Sequence, residues 1–423
     1  MLGLIVAGET VFALPFHVAR FFRPIVLDVF ALSATQLGTV QGVYGVVAML
    51  AYFPGGPIAD RFSARRLLST SLWMTAAGGL YMASFPGYRE MLILWGLFAI
   101  TSILLFWAAL IRATRDWGGV DEQGRAYGIL DSGRGILAAG MASIGVMALS
   151  TAFPDGYAAA GAQERAEGLR MVIYGYTFVT AVAGAFVWFA IPDQMTVPDR
   201  GADAPAQVRA SAVADVLRVL RLPVVWMQAA IVFCAYVGYK GFDNYSLFAV
   251  QGYGLDEVEA ARVVTYGSWM RPVAALGAGL LGDRFSVSRM TLIAFVLLLA
   301  SNLFFAFTTP VPGATWILLV NILFACTAFF GLRGLYFALF EEARVPVIVT
   351  GTAVGIISVI GYAPDVFITW VAGVLVDRSP GVAGHQHFFM FLATFAALGV
   401  LVSWGLKRQL GSETPATRGL SRS

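Results

Sequence analysis

Five basic side chains, Arg20, Arg134, Lys240, Arg271 and Arg333, lie within long apolar stretches of this sequence, together with four acids, Glu9, Asp131, Asp243 and Asp365. A charge near the middle of a bilayer costs roughly 2.5–3.5 kcal/mol on insertion scales, so such residues point to function. The cations outnumber the acids. A guanidinium binds carboxylate, phosphate or sulfonate through two parallel hydrogen bonds, so the expected ligand is an anion. Glu9 and Asp131 are the candidates for carrying a proton, although a carboxylate paired with arginine stays ionised and carries protons poorly. Asp131 and Arg134 stand at i and i+3 and can neutralise each other as a structural pair. For Arg333, a bridge to a neighbouring helix and contact with substrate are both open.

These residues must be positioned by membrane helices. The 423 residues are 58% hydrophobic and only 13% charged, against about 25% charged in soluble domains. A run of about 20 apolar residues crosses the hydrocarbon core as a helix. Twelve such runs fall at roughly 2–27, 35–58, 67–86, 90–111, 125–152, 170–192, 224–249, 259–282, 289–308, 314–340, 347–376 and 387–406. The first lacks a basic leading region and a cleavage site and holds Glu9, His17 and Arg20, so it reads as a retained helix. Of the 28 Lys and Arg, 17 fall in even loops and the C-terminal tail, six in odd loops and five inside helices. That bias sets both termini on the cytoplasmic side. The usage of 26 Arg against 2 Lys suits a GC-rich bacterium, whose cytoplasmic (inner) membrane is the expected location.

The expected fold is all-α, with twelve transmembrane helices in two pseudo-symmetric six-helix bundles. Residues 1–192 and 224–406 are the bundles. Residues 193–223 form a cytoplasmic linker, in which Val213, Val216, Leu217 and Leu220 predict an amphipathic surface helix, and 407–423 form a cytoplasmic tail. The halves echo each other. "GGPIADRFSARRLL" (Gly55 to Leu68) returns as "AGLLGDRFSVSRMTL" (Ala278 to Leu292), with Asp60 and Asp283 offset by 223. Ser33 with Gln36, and Asp256 with Glu259, predict capping boxes, each starting 27 residues before its aspartate. "QGRAYGIL" (Gln123 to Leu130) pairs with "TGTAVGII" (Thr350 to Ile357). Two like-oriented copies of a six-helix unit read as a transporter with parallel repeats.

The G-x-x-x-D-R pattern between the second and third helices, repeated between the eighth and ninth, resembles motif A of the major facilitator superfamily. Gly56, Asp60, Arg61, Arg65 and Arg66 match in the first half, and Gly279, Asp283, Arg284 and Arg289 in the second. The resemblance extends over nearly the whole chain. It implies alternating access by rocking of two bundles, with a cytoplasmic gate made by the two motifs. Gly56 and Gly279 would let helices approach, and the Asp and Arg residues would latch that side shut. Ser63 and Ser286 replace the turn glycine of the pattern and predict a loop of different detail.

At 100° per residue, Phe16, Arg20 and Arg23 each fall within about 40° of Glu9 on one helix face, with His17 about 60° from Arg20. Under the 223-residue offset, His17 corresponds to Lys240 and Arg20 to Asp243. The substrate-contacting set is therefore His17, Arg20, Tyr44, Tyr236, Lys240, Asp243, Arg271 and Arg333, with aromatic walls from Phe12, Phe16, Tyr239 and Tyr245. Bases on the first and seventh helices are similar to the organophosphate–phosphate antiporter branch, although helix seven carries lysine. Gly124, Gly128, Gly133, Gly135 and Gly140, with Gly351, Gly355 and Gly361, predict close helix packing. Pro364 predicts a kink.

Cys234 and Cys326 read as small buried hydrophobes. His17, His385 and His387 show no metal-ligand spacing, and no Walker A pattern occurs, so neither metal, cofactor nor ATP is expected. No paired acid–base cluster suggests an enzyme. The expected partners are a small-molecule substrate, a proton or counter-anion, and the lipid bilayer, with no nucleic acid. One chain holds a complete transport unit, so a monomer is expected. A non-transporting anion receptor on the same scaffold, and a transporter of a neutral sugar or drug-like compound, remain open.

Overall fold

The computed structural model describes residues 1–119, 123–193, 220–336, 338–339, 357–379 and 381–413. The first bundle opens with α1 (Leu2–Thr10), a π-helical turn at Ala13–His17, α2 (Val18–Phe21) and α3 (Arg23–Val29). Pro15 has no N–H for the helical ladder and forces the wider turn. Trp95 Nε1 donates to the Pro15 carbonyl at 3.1 Å. Then come α4 (Ala34–Arg61), α5 (Ala64–Met82), α6 (Tyr88–Ala99), a π-helical stretch at Ile100–Trp107, α7 (Ala108–Gly118), α8 (Gln123–Ala152) and α9 (Ala162–Ala190). The second bundle holds α10 (Pro223–Gly241), α11 (Tyr245–Tyr253), α12 (Glu257–Ser268), α13 (Met270–Phe285), α14 (Val287–Phe307), α15 (Thr315–Leu335), α16 (Ile368–Arg378) and α17 (Val382–Glu413).

Among the described residues, nine helices are long and apolar enough to cross a membrane, and the bent pair Leu2–Thr10 and Ala13–Phe21 makes a tenth. The remaining two expected runs are also helical, in α5 and in α12–α13, which fits twelve passages. Val213, Val216 and Leu217 of the predicted linker helix, Gly351, Gly355 and the start of the eleventh run lie outside the described residues.

The helix starts follow from their caps. Ser33 accepts from Gln36 N at 3.1 Å while Gln36 Oε1 accepts from Ser33 N at 2.9 Å, a complete capping box. The second expected box does not form. Asp256 Oδ1 accepts from Val258 N at 2.9 Å, and its other oxygen accepts from Tyr157 N of the first bundle at 2.8 Å. Ser63 and Ser286 cap α5 and α14, accepting from Arg66 N at 3.4 Å and Arg289 N at 3.1 Å. That explains serine at the turn position, since both residues are extended and neither requires a left-handed backbone.

Call the end with the Arg61–Ala64 and Phe285–Val287 turns the motif end, and the other the far end. The bundles are sealed together at the far end. Gly38, Gly42 and Gly45 lay α4 against the backbone of residues 365–370, and Gly373 lies against Ala34 and Thr35. The Asp377 carboxylate accepts from Ala34 N at 3.2 Å and Thr35 N at 2.7 Å, so the second bundle caps a helix of the first. Leu27, Ala34, Leu247 and Val376 close the apolar part of the seam.

Candidate substrate site

A cavity at mid-depth is lined by Phe12, Phe16, Arg20, Tyr44, Ala48, Tyr52, Ile103, Trp107, Arg134, Tyr236, Tyr239, Lys240, Arg333, Tyr362 and Asp365. The helix breaks shape it. The π-helical turn at Ala13–His17 and the second at Ile100–Trp107 carry Phe16, Ile103 and Trp107 to its wall, and the 3₁₀ turn at Ala363–Val366, which begins beside Pro364, brings Asp365.

The nine intramembrane charges resolve into two neutral quartets and one remainder. In the first, Arg20 Nε meets Asp243 Oδ1 at 2.5 Å, and Lys240 Nζ meets Asp243 Oδ2 at 2.7 Å and Asp365 Oδ1 at 3.2 Å. Tyr236 donates to Asp365 at 2.9 Å and Arg20 donates to the Tyr239 hydroxyl at 2.9 Å. In the second, Glu9 takes Arg134 at 3.0 Å and Arg271 at 3.3 Å, while Arg271 also reaches Asp131 at 2.7 Å. His17 Nε2 lies 3.1 Å from Glu9. Each quartet has two bases and two acids, and each joins the two bundles. Arg20 and Asp243 are equivalent under the 223-residue repeat and touch directly. A residue touches its own symmetry mate only near the axis, so this pair marks the pseudo-twofold axis of the molecule.

Arg333 is the remainder. Among the described residues it makes no ion pair. Its guanidinium stacks over the Tyr239 ring at 4.3 Å and borders the cavity. Five tyrosines, Tyr44, Tyr52, Tyr236, Tyr239 and Tyr362, supply rings and hydroxyls around it.

The structure amends the sequence reading at several residues. Arg20, Tyr44, Tyr236, Lys240 and Arg333 line the cavity, whereas His17, Asp243 and Arg271 are buried behind its wall. Tyr245 packs into an aromatic core with Phe242, Phe305 and Phe389. The Asp131–Arg134 pair is long, at 3.9 Å, because Asp131 is drawn to Arg271 and Arg134 to Glu9. Arg23 leaves the helix-one stripe, since the break at Phe22 rotates it away from Arg20. Tyr52, Trp107 and Tyr362 were not foreseen, although Tyr44, Ala48 and Tyr52 repeat at i, i+4 and i+8 on one face of α4.

Residues 6–369 match the family model described as the Major Facilitator Superfamily. The chain belongs to the major facilitator superfamily. It is 29% identical over 377 residues to the inner membrane protein YqcE of Escherichia coli (strain K12), covering 88% of this chain and 85% of that one. It is 27% identical over 421 residues to the inner membrane protein YihN of the same organism, covering 96% and 94%. The structure overlays that of a bacterial homologue of the human lysosomal transporter Spinster, in an inward-facing and unoccupied conformation, with TM-score 0.70, 15% identity and 98% of both chains. These likenesses establish a multi-pass membrane protein with a transporter fold.

The superfamily's motif A sits at the motif end in both halves. Asp60, Arg61, Asp283, Arg284 and Arg289 are exposed there. Arg65 stacks on Trp188 at 4.5 Å, and Arg66 pairs with Asp193 at 3.1 Å within the first bundle. Hydrogen bonding from Ser63 and then Arg66 holds the exposed Asp193 carboxyl below its ordinary value. The motif glycines do not make the expected close approach: a Cβ at Gly56 or Gly279 meets nothing within 4 Å. The close positions are Gly55, where a Cβ would stand 3.3 Å from the Leu104 carbonyl, and Gly282, three residues after Gly279, where it would stand 3.1 Å from the Leu335 side chain.

Glu9 holds the second quartet together, and its removal is a direct test. Glu9→Gln keeps the shape but leaves Arg134 without its close acid. Breaking a buried pair from one side costs about 3–5 kcal/mol. The SDS concentration at half-unfolding should therefore fall clearly for Glu9→Gln, and an unchanged midpoint would show that the quartet does not stabilise the fold.

Proposed function

We propose that the chain is an alternating-access transporter of a small anionic organic solute carrying one acid group: a carboxylate, phosphate or sulfonate. The carrying observation is the charge count at the cavity. Both quartets are neutral and Arg333 has no acid partner among the described residues, so a neutral solute would leave it uncompensated, and a monoanion would complete the site. Arg333 presents a planar fork suited to such a group. The tyrosine rings and hydroxyls suit a ring-shaped or hydroxylated body.

The positive-inside bias makes the motif end cytoplasmic and the far end periplasmic. The sealed far end and the exposed Asp60 and Asp283 then fit a state whose cytoplasmic latch is released. Coupling follows from the same charge. An unpaired cation is costly to occlude, so the empty carrier should reorient slowly and the loaded one readily. Counter-anion exchange fits this better than a proton on Glu9 or Asp131, each of which bonds arginine. In proteoliposomes, exchange of labelled for unlabelled solute should exceed net uptake at least tenfold. Equal rates would remove the counter-anion.

The test of the substrate class is thermal stabilisation of the purified chain by sugar phosphates, carboxylates, sulfonates and neutral sugars, run on wild type and Arg333→Gln. A ligand at 100 times its Kd adds about 2.7 kcal/mol, which is readily seen. Stabilisation by anions that Arg333→Gln loses supports the reading. Stabilisation by neutral sugars alone sinks it.

A further inference from the structure

One buried cation has no part in either quartet or in the cavity. Arg23 is fully buried at the far end. Its Nη1 donates to Gln41 Oε1 at 3.1 Å, but Nε and Nη2 have no hydrogen-bond partner among the described residues. Those two atoms form the side-on edge of the guanidinium, the edge that takes an oxyanion through two parallel hydrogen bonds. Gln41 Nε2 is a third unmatched buried donor beside it.

The position of this edge is informative. Arg23 stands four residues before Leu27, on the same face of α3, and Leu27 packs against Leu247 and Val376 of the second bundle. Arg23 therefore faces the far-end seam. His385, near the start of α17 in the second bundle, lies against Phe248 of α11 and bonds Gln251 at 2.8 Å, and its Nδ1 has no hydrogen-bond partner among the described residues. The acids in reach, Asp243 and Asp377, are committed elsewhere: Asp243 to Arg20 and Lys240, Asp377 to the start of α4. The unmatched donors of the first bundle thus meet at a surface that the second bundle covers in this conformation.

We propose that Arg23 and Gln41, with His385 opposite, form a second oxyanion site, opened when the bundles part at the far end and distinct from the cavity around Arg333. Its ligand is a single carboxylate, phosphate or sulfonate head bound side-on. The site lies one turn beyond Arg20, so an anion held there is next to the pseudo-twofold axis before it reaches the cavity. The proposal extends the anionic reading above but is tested separately from it.

The test uses the full chain carrying Gly38→Trp, whose side chain is incompatible with the sealed seam. Gly373→Leu serves from the opposite wall if that variant does not fold. Inorganic phosphate and sulfate are titrated against the thermal midpoint, alone and with Arg23→Gln, Arg23→Lys or Arg333→Gln added. The expected result is stabilisation of the parent, a rise of at least tenfold in the anion concentration required with Arg23→Gln, and a smaller rise with Arg23→Lys. The response should survive Arg333→Gln. An Arg23→Gln chain that responds like its parent overturns the proposal, as does a folded parent that no anion stabilises. Loss of the response with Arg333→Gln alone overturns it too, while leaving the cavity reading intact. An Arg23-dependent response with no effect of Arg333 on any organic anion supports this site and removes that reading.

Discussion

Arg333→Gln is expected to abolish the response to anionic solutes while leaving the fold intact. The two effects separate because Arg333 forms no ion pair among the described residues and is only partly buried. Its removal leaves no acid stranded. What is lost is the charge that the substrate would meet. Truncating one partner of a hydrogen-bonded charge pair costs about 2–5 kcal/mol, and each 1.4 kcal/mol is tenfold, so affinity should fall between about 30-fold and several thousand-fold. Arg333→Lys keeps the charge and loses the fork, and should fall by about tenfold. Isothermal titration on the purified variants reads both. Lys240→Ala is a poorer probe. Lys240 is clamped by Asp243 at 2.7 Å and Asp365 at 3.2 Å, so removing it leaves a buried acidic excess. The chain would weaken with or without ligand. If Arg333→Gln binds anions as wild type does, the acid group docks elsewhere.

Much of the fold was legible because membrane helices are written locally. Runs of apolar residues, the position of Arg in loops and the Ser33 capping box each depend on a few neighbouring residues. The repeat was legible through Asp60 and Asp283 at a fixed offset. The pairing of charges was not, because it joins positions far apart: Glu9 with Arg134 and Arg271, and Lys240 with Asp365. A surplus of bases could be counted in the sequence, but not that Arg333 would carry it. The wheel of helix one failed for a specific reason. It assumes an unbroken helix at 100° per residue, and the break at Phe22, just before Pro24, ends that spacing between Arg20 and Arg23. Arg23 then leaves the stripe that Arg20 keeps. The proline was visible, so the break could have been foreseen. The motif glycines misled in another way. Gly55 and Gly56 adjoin, and only the partner helix decides which of the two faces inward.

Gly38→Trp is expected to stop transport at one end of the cycle. In an isolated helix, replacing glycine even with alanine stabilises by about 1 kcal/mol. Here the sign reverses, because a Cβ at Gly38 falls 2.7 Å from Trp370 Cα and closer still to the Thr369 carbonyl. Both obstacles are backbone, so no rotamer change relieves the clash. The same holds at Gly45, where a Cβ would stand 2.6 Å from Val366 N. A residue as large as tryptophan keeps α4 and α16 apart and forbids the sealed state. Rocking needs both end states, so exchange in proteoliposomes should fall by at least a hundredfold. Binding from the far side should persist, since the chain remains folded and open there. A reporter cysteine at Val376, which is 7% exposed in the sealed seam, reads the opening directly. The native Cys234 and Cys326 are buried and give little background. With Val376→Cys in place, a maleimide should label the Gly38→Trp chain much faster than its parent. Fast transport by Gly38→Trp, or equal labelling of the two, would mean that the glycine seam does not seal the far end. The spacing of Gly38, Gly42 and Gly45 would then reflect packing alone. If labelling rises and transport stops, the α4–α16 seam is the closing surface of the far end.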